Sequence, residues 1–399
     1  MLVITSPGQG AQTPGFLAPW LELPGFADRL AAWSDLAGCD LVRAGTTASA
    51  AEITDTAVAQ PLLVGAAVAA AEVLCGNLAQ ARKVAGSAAG HSVGELAAGA
   101  IAGVISAEDA MRLVGVRGRA MAEAAAAEPT GMTAVLGGDE AEVLAAIEAC
   151  GLTPANINGA GQIVAAGTHE QLAALAANPP AGARLRPLKV AGAFHTRHMA
   201  PAVAALREAA ADVSPSDPEI VLISNRDGAR VKSGPDWLER IVTQVSAPVR
   251  WKACMETFST LGVKAFIELP PGGTLTGLAR RALPGVALAA LKTPDDLTAA
   301  RSLLAELGTP DEHEDCHVPE WRLLVSPLAG TFRSGNGAHP VAPGIGVHAG
   351  DALGHVEVRT GQHPITPAFP GTIIEWLVED GDPVDAGQPL VRLQPEEAA

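Results

Sequence analysis

The chain has 399 residues, enough to bury a sizeable core and to form two or three domains. With 48% hydrophobic and 18% charged residues, its composition is that of a globular protein and excludes a disordered one. A formal net charge of −16 without any basic tract argues against nucleic acid as a partner.

The N-terminal stretch, Met1 to Pro7, predicts a short strand running into the loop Gly8-Gln9-Gly10-Ala11-Gln12. It carries no basic leader and no cleavage pattern, and no uninterrupted apolar span of bilayer length is read along the chain. The expectation is a cytoplasmic protein with no membrane partner. Five scattered cysteines, Cys39, Cys75, Cys150, Cys254 and Cys316, argue against a disulfide framework and fit a reducing compartment.

Residues 1–128 alternate short apolar strands with Ala-rich helices, the pattern of an α/β layer with a mainly parallel sheet. Within it Val84 to Ala89 reads as a buried strand and Leu96 to Val104 as a helix. The stretch Gly90-His91-Ser92-Val93-Gly94-Glu95 lies between them. A serine held between two glycines at a strand-to-helix turn is how a nucleophile is exposed. Ser92 at a helix N-terminus would also have free N–H groups and the helix dipole nearby to favour an oxyanion. On the residues alone, a structural Gly-Ser turn remains the alternative. His91 is read as structural, because the backbone of such a turn directs it away from Ser92.

The next segment changes rhythm. Strands are expected at Thr133 to Leu136, Ala155 to Asn158, Ile163 to Ala166 and Arg184 to Val190, with helices at Asp139 to Cys150 and His169 to Ala177. The order βαββαβ is ferredoxin-like and implies a small domain inserted in a larger one. Arg184, Arg186 and Lys189 make a local positive patch in this acidic chain, either a contact for phosphates or an acidic partner, or a solvated strand edge. The sequence Gly192-Ala193-Phe194-His195 follows and supplies the best candidate base, His195; a packing histidine is the competing view. The Gly8–Gln12 loop is a natural second oxyanion donor beside the N–H of Val93, or a plain tight turn.

The α/β pattern resumes at Ile220 to Asn225 and Ala265 to Leu269, and a helix near Pro294 to Leu307 leads to an acidic connector, Pro310 to Pro319. In it His313-Glu314-Asp315-Cys316-His317 spells the His-Glu-x-x-His zinc signature. Proline-bounded and short, it is read as linker with no metal. The last 80 residues or so are short strands between Gly and Pro turns with an internal repeat: Val347 to Leu353 echoes Val384 to Leu390. Two such copies imply a small pseudo-twofold β-sandwich or barrel.

Several motifs occur in order over residues 2–292: Gly8–Gln12, Gln60-Pro61, Gly90–Glu95, Val116-Arg117-Gly118-Arg119, Asn156 with Asn158, Phe194-His195, Gln244 before Pro248–Trp251, and Glu268–Gly273. Together they resemble the malonyl-CoA:acyl-carrier-protein transacylases of fatty-acid and polyketide synthesis. The resemblance implies an α/β-hydrolase-like core (residues 1–128 and 193–292) with a ferredoxin-like insertion (129–192). It implies Ser92 as nucleophile, His195 as base, the backbone N–H groups of Gln9 and Val93 as oxyanion hole, and the carbonyl of Gln244 in place of a carboxylate orienting His195. Substrate contacts are implied for Arg117, Phe194, Gln60, Asn156 and Asn158. An arginine facing the acyl pocket selects malonyl over acetyl, because a guanidinium binds a carboxylate through two parallel hydrogen bonds. Phe194 would leave little room for an α-methyl branch, although Gly192 replaces the first histidine of the family's His-Ala-Phe-His form. The implied partners are malonyl-CoA and an acyl carrier protein.

Beyond a helix and acidic linker (293–320), residues 321–396 resemble a biotinyl or lipoyl attachment domain. Ser326–Phe332 matches its opening strand, and Gly371-Thr372-Ile373 with Val378–Gly381 its second half. The alignment sets Thr360 at the acceptor-lysine position, and no lysine follows Lys292, so no biotin or lipoate cofactor is expected. Such a degenerate domain would dock a carboxylase or synthase component, mediate dimers or only extend the surface. Two other functions compete with transacylation: an editing acyl hydrolase, against which Arg117 speaks, and an adaptor with a vestigial catalytic domain.

Overall fold

The computed structural model describes residues 1–307, 322–335, 342–359 and 361–395 and divides into two units, Met1–Asp311 and Glu312–Ala399, each taken by itself. In chain order the first unit's strands are β1 (Leu2–Ser6), β2 (Ser87–Gly90), β3 (Thr130–Gly137), β4 (Thr153–Gly159), β5 (Gln162–Thr168), β6 (Ala183–Pro187), β7 (Val221–Ile223), β8 (Ala265–Glu268) and β9 (Ala287–Ala290).

Five of these form a parallel sheet in the order β7-β2-β1-β8-β9. Every residue of β1, β2 and β8 is buried, as strands covered on both faces must be. The register sets Ser6 opposite Gly90 and Thr5 opposite Glu268. The carboxyl ends of these strands therefore finish together, and the loops after β1 and β2 meet at one sheet edge, where open α/β sheets bind ligands.

One boundary and one reading of the first unit's core differ from the expectation. Residues up to Val84 belong to a helix, Leu78–Val84, because the Asn77 side chain accepts the Gln80 N–H and caps it, so β2 starts only at Ser87. The helix Thr56–Cys75 also overturns the reading that no apolar span is long enough for a bilayer. By length and composition it qualifies, but it is mostly buried here as a core helix.

The inserted segment forms an antiparallel sheet in the order β4-β5-β3-β6, with helices Glu140–Ala149 and His169–Ala177 and a core of Val135, Val143, Ile147, Leu152 and Ile163. Asp139 caps the first helix through the N–H groups of Ala141 and Glu142, and a Thr168–Gln171 capping box starts the second. β6 stops at Pro187, short of Val190, at a residue with no N–H to extend a ladder.

The second unit contains β10 (Arg322–Val325), β11 (Gly330–Ser334), β12 (Gly346–Val347), β13 (Gly354–Val358), β14 (Gly361–Ile365), β15 (Gly371–Trp376), β16 (Pro383–Val384) and β17 (Pro389–Pro395). They form two four-stranded sheets, β10-β17-β15-β12 and β14-β13-β11-β16. Advancing each strand by four positions in the chain turns one order into the other. The sequence repeat is thus also a repeat of topology. In the β13–β14 hairpin Val358 pairs with Gly361. Thr360, the connector and the His313–His317 motif lie outside the described residues.

Candidate active site

The turn after β2 is built by its two glycines. A Cβ on Gly90 would sit 1.9 Å from the Gly94 carbonyl carbon, and one on Gly94 would sit 2.3 Å from the Ser6 oxygen. Neither position tolerates a side chain without moving backbone. Ser92 between them has φ 53°, a left-handed conformation costly for a non-glycine residue and retained where surrounding bonds impose it. Asn225, just beyond β7, supplies those bonds: its Oδ1 accepts the Ser92 N–H at 2.7 Å, and its Nδ2 donates to the Gly90 carbonyl at 2.8 Å. The helix Gly94–Ile101 starts directly after, so the Val93 N–H lies at its free N-terminal end.

His195 also has a left-handed φ, 62°. Its N–H donates to the Val245 carbonyl at 3.1 Å, and the Thr196 hydroxyl closes the turn onto Ala193 O at 2.6 Å. The imidazole Nε2 lies 2.7 Å from Ser92 Oγ, and Nδ1 lies 2.9 Å from the Gln244 carbonyl oxygen. That carbonyl ends the helix Gly234–Gln244, where backbone oxygens lack helical partners. It fixes the tautomer: Nδ1–H donates to it, and Nε2 is left to accept from the serine hydroxyl. Burial first, and then the Arg117 charge, push the His195 pKa down to about 3, so the ring is neutral at neutral pH.

Arg117 sits in the helix Ala107–Ala127 and is 1% exposed. Its Nη1 donates to Gln60 Oε1 at 2.5 Å, and its Nη2 to Gln244 Oε1 at 2.8 Å and to Ser92 Oγ at 3.4 Å. Burial lowers its pKa to about 10, which leaves it charged at neutral pH. Gln244 thus meets His195 with its backbone and Arg117 with its side chain. Its Nε2 donates to Ser92 O at 3.2 Å and to Glu95 Oε2.

Glu95 is the residue to which sequence reasoning assigned no role, although it closes the Gly90–Glu95 motif. It is 2% exposed, its Oε1 accepts the Asn225 N–H at 2.9 Å, and burial pushes its pKa up to about 7 against the pull of those bonds and of Arg117. A carboxylate in an otherwise Ala-rich helix was the available signal. Asn225 offered none beyond its place after a strand.

The cavity at Ser92 is edged by Gln9, Val93 and His195 and walled by Met121, Met132, Leu188, Val190 and Phe194. Gln9 is anchored through Nε2 to the Thr54 carbonyl at 3.0 Å. Among the described residues neither the Gln9 nor the Val93 N–H has a protein acceptor. Both are free for an oxyanion. Gln60 and Asn156 also line the cavity, and the Asn156 Oδ1 is buried without a partner. Asn158 does not join them: its Oδ1 meets His91 Nε2 at 2.9 Å. That bond ties the insertion to the turn. His91 also packs against Gly8, where a Cβ would lie 2.9 Å from its Nδ1. It is a brace between three loops, although its ring still touches the cavity. A Cβ on Gly192 would meet the Ala125 Cβ at 2.6 Å, so a histidine does not fit at that position.

Residues 5–295 match the family described as acyl transferase domain. The malonyl CoA-acyl carrier protein transacylase of Mycobacterium tuberculosis (strain ATCC 25618 / H37Rv) is 54% identical over 303 residues, 76% of this chain and 100% of that protein. The crystal structure of MCAT from Mycobacterium tuberculosis aligns with a TM-score of 0.72 and 53% identity, covering 75% of this chain and 99% of the other. A malonyl-transacylase solved in complex with its type II PKS acyl-carrier protein gives a TM-score of 0.70 and 30% identity over 75% of this chain and 99% of that one. With the Ser92 turn, His195 and the N–H groups of Gln9 and Val93 assembled in that same region, the chain belongs to the malonyl CoA-acyl carrier protein transacylase family of acyl transferases.

Proposed function

We propose that the protein transfers a malonyl group from malonyl-CoA to the phosphopantetheine thiol of an acyl carrier protein by a ping-pong route through malonyl-Ser92. The observation that carries this reading is the placement of the charged Arg117 guanidinium 3.4 Å from the same Ser92 oxygen that lies 2.7 Å from the base His195. Nucleophile, base and carboxylate clamp then meet at one atom.

His195 Nε2 takes the Ser92 proton as Oγ bonds to the thioester carbonyl carbon. The oxygen of that carbonyl becomes an anion held by the N–H groups of Gln9 and Val93, each worth roughly a hundredfold in rate. Collapse breaks the C–S bond, and the imidazolium returns its proton to the departing thiolate of CoA. In the second half the carrier thiol gives its proton to His195, attacks the Ser92 ester and carries the malonyl group away. A neutral carbonyl suffices behind the histidine, because a thiolate leaves more readily than an amine and needs less help from the imidazolium.

Arg117 Nη1 and Nη2 each carry a second N–H, beside those held by Gln60 and Gln244, for the two oxygens of the malonyl carboxylate. Asn156 Oδ1, buried and unpartnered, offers an acceptor for an N–H of the substrate. Phe194 on the cavity wall favours malonyl over its α-methyl homologue. Arg184, Arg186 and Lys189 are exposed at the edge of the inserted sheet, and Leu188 and Val190 beside them reach the cavity, which supports the patch as a contact for CoA phosphates or an acidic carrier. Free Cys39, Cys75, Cys150 and Cys254 support a reducing compartment such as the cytoplasm.

For residues 321–396 we propose a degenerate biotinyl- or lipoyl-like domain. The two interchangeable sheets support it, and the lack of lysine after Lys292 means that it carries neither biotin nor lipoate by an amide bond. Docking a carboxylase or synthase component is the role such a domain would retain.

The test is transfer of labelled malonyl from malonyl-CoA to a phosphopantetheinylated carrier protein. Label appears on the carrier with the wild type and not with Ser92→Ala; transfer at wild-type rate by Ser92→Ala would refute the route.

A further inference from the structure

We propose that Glu95 is a positioning residue for acyl selection: it sets the Gln244 amide and thereby aims the Arg117 guanidinium at the acyl pocket. The inference deepens the reading of Arg117 as malonyl clamp and rests on it.

When ionised, above about pH 7, Glu95 only accepts hydrogen bonds, so both its oxygens must face donors. Oε1 takes the Asn225 N–H, and Oε2 takes Gln244 Nε2. That choice settles which end of the Gln244 amide faces which way. Its nitrogen faces Glu95 and the Ser92 carbonyl, and its oxygen is left for Arg117 Nη2 at 2.8 Å. The reverse orientation would set an NH₂ group against a guanidinium, donor against donor. At 2% exposure Glu95 has no solvent to satisfy it instead, and a Ser224 side-chain bond completes its set of donors. The same carboxylate reaches the nucleophile through Asn225, whose side chain holds the Ser92 N–H. Glu95 touches no reacting atom, yet it links the turn that carries the nucleophile to the residue that orients the clamp.

Glu95→Gln tests this because it keeps shape and volume. Its single carbonyl oxygen stays with the Asn225 N–H, its NH₂ then faces Gln244, and Gln244 must turn its own NH₂ toward Arg117. With acylation of Ser92 read separately for the two donors, kcat/KM for malonyl-CoA is expected to fall about tenfold or more, chiefly through KM. The acetyl-CoA value is expected to stay within about threefold, because acetyl does not use the guanidinium. In an Arg117→Ala background, Glu95→Gln adds no further loss with malonyl-CoA. Equal losses with both donors, or additive losses in the double variant, would mean a structural role and overturn the inference. If Glu95→Gln fails to fold, Glu95→Asp keeps the charge and withdraws it from the Gln244 amide. The same malonyl-selective loss is expected, and a loss equal for both donors contradicts the proposal. An Arg117→Ala enzyme that keeps its malonyl preference, by contrast, overturns the clamp reading itself and the inference with it.

Discussion

His195 hangs between two contacts: its Nδ1 is 2.9 Å from the Gln244 carbonyl oxygen and its Nε2 is 2.7 Å from Ser92 Oγ. A carbonyl orients the ring without placing a full negative charge beside it. The imidazolium is stabilised less than it would be by a carboxylate, and burial with the Arg117 charge depresses the pKa to about 3.

An unfolded histidine titrates near about 6.5 and His195 near about 3, so between those values the unfolded chain binds the proton and the folded chain does not. The stability that His195 contributes is therefore present above about pH 6.5 and is lost as pH falls through this window. His195 ring resonances followed by NMR from about pH 7.5 to about 5.5 should not move. A titration centred near the ordinary histidine value would contradict the environment described for the ring.

Glu95 pulls the other way. Its pKa is raised to about 7, so between about 4.5 and about 7 the folded chain holds a proton that the unfolded chain has released. Its contribution to stability falls as pH rises through that window. Glu95→Gln should therefore flatten the rise in unfolding free energy between about pH 7 and about pH 5 that this group produces. An unchanged pH dependence in denaturant titrations would show that the carboxyl is not perturbed.

Arg117→Ala should shift acyl preference from malonyl toward acetyl. Two charge-assisted bonds to a carboxylate are lost, which predicts a fall of about ten- to a hundredfold in kcat/KM for malonyl-CoA, with acetyl-CoA little affected. Competition between the two donors, read as the ratio of acyl-enzyme masses, measures it. An unchanged ratio would remove Arg117 from substrate choice.

Two glycine substitutions should behave in opposite ways. Gly90→Ala forces a Cβ to within 1.9 Å of backbone in the nucleophile turn and should abolish activity or folding. Gly277 lies in the helix Thr274–Ala282 with nothing within 4 Å of its would-be Cβ, so Gly277→Ala should stabilise by about 0.5–1 kcal/mol. Thermal unfolding of both variants checks the pair.

What was legible in the sequence follows from how local each signal is. The turn at Ser92 is written in five adjacent residues, because the backbone crowding between Gly90, Gly94 and Ser6 demands glycines at fixed spacing. The βαββαβ order of the insertion could be read from caps and turns such as Asp139 and Gly159-Ala160-Gly161. The Glu95–Gln244–Arg117–Gln60 chain could not, since its members lie up to 184 residues apart and meet only when the helices Thr56–Cys75, Ala107–Ala127 and Gly234–Gln244 pack at one edge of the sheet. The Asn158–His91 contact was hidden for the same reason. The two lie 67 residues apart, and no local pattern distinguishes an asparagine that braces a loop from one that faces substrate.

Removing residues 312–399 should leave acyl transfer intact, because the dyad, the oxyanion donors and the arginine all lie in the unit Met1–Asp311. A folded truncation that no longer loads the carrier would show that the second unit takes part in catalysis.

The central claim is a malonyl-Ser92 intermediate that passes to a carrier thiol. Intact-protein mass spectrometry after brief incubation with malonyl-CoA, with and without carrier protein, addresses it on the wild type and on Ser92→Ala. The account predicts a malonyl adduct that requires Ser92 and moves to the carrier. An adduct that decays to free acid in the presence of carrier would indicate an editing hydrolase, and an adduct on Ser92→Ala, or none on the wild type, would contradict the mechanism.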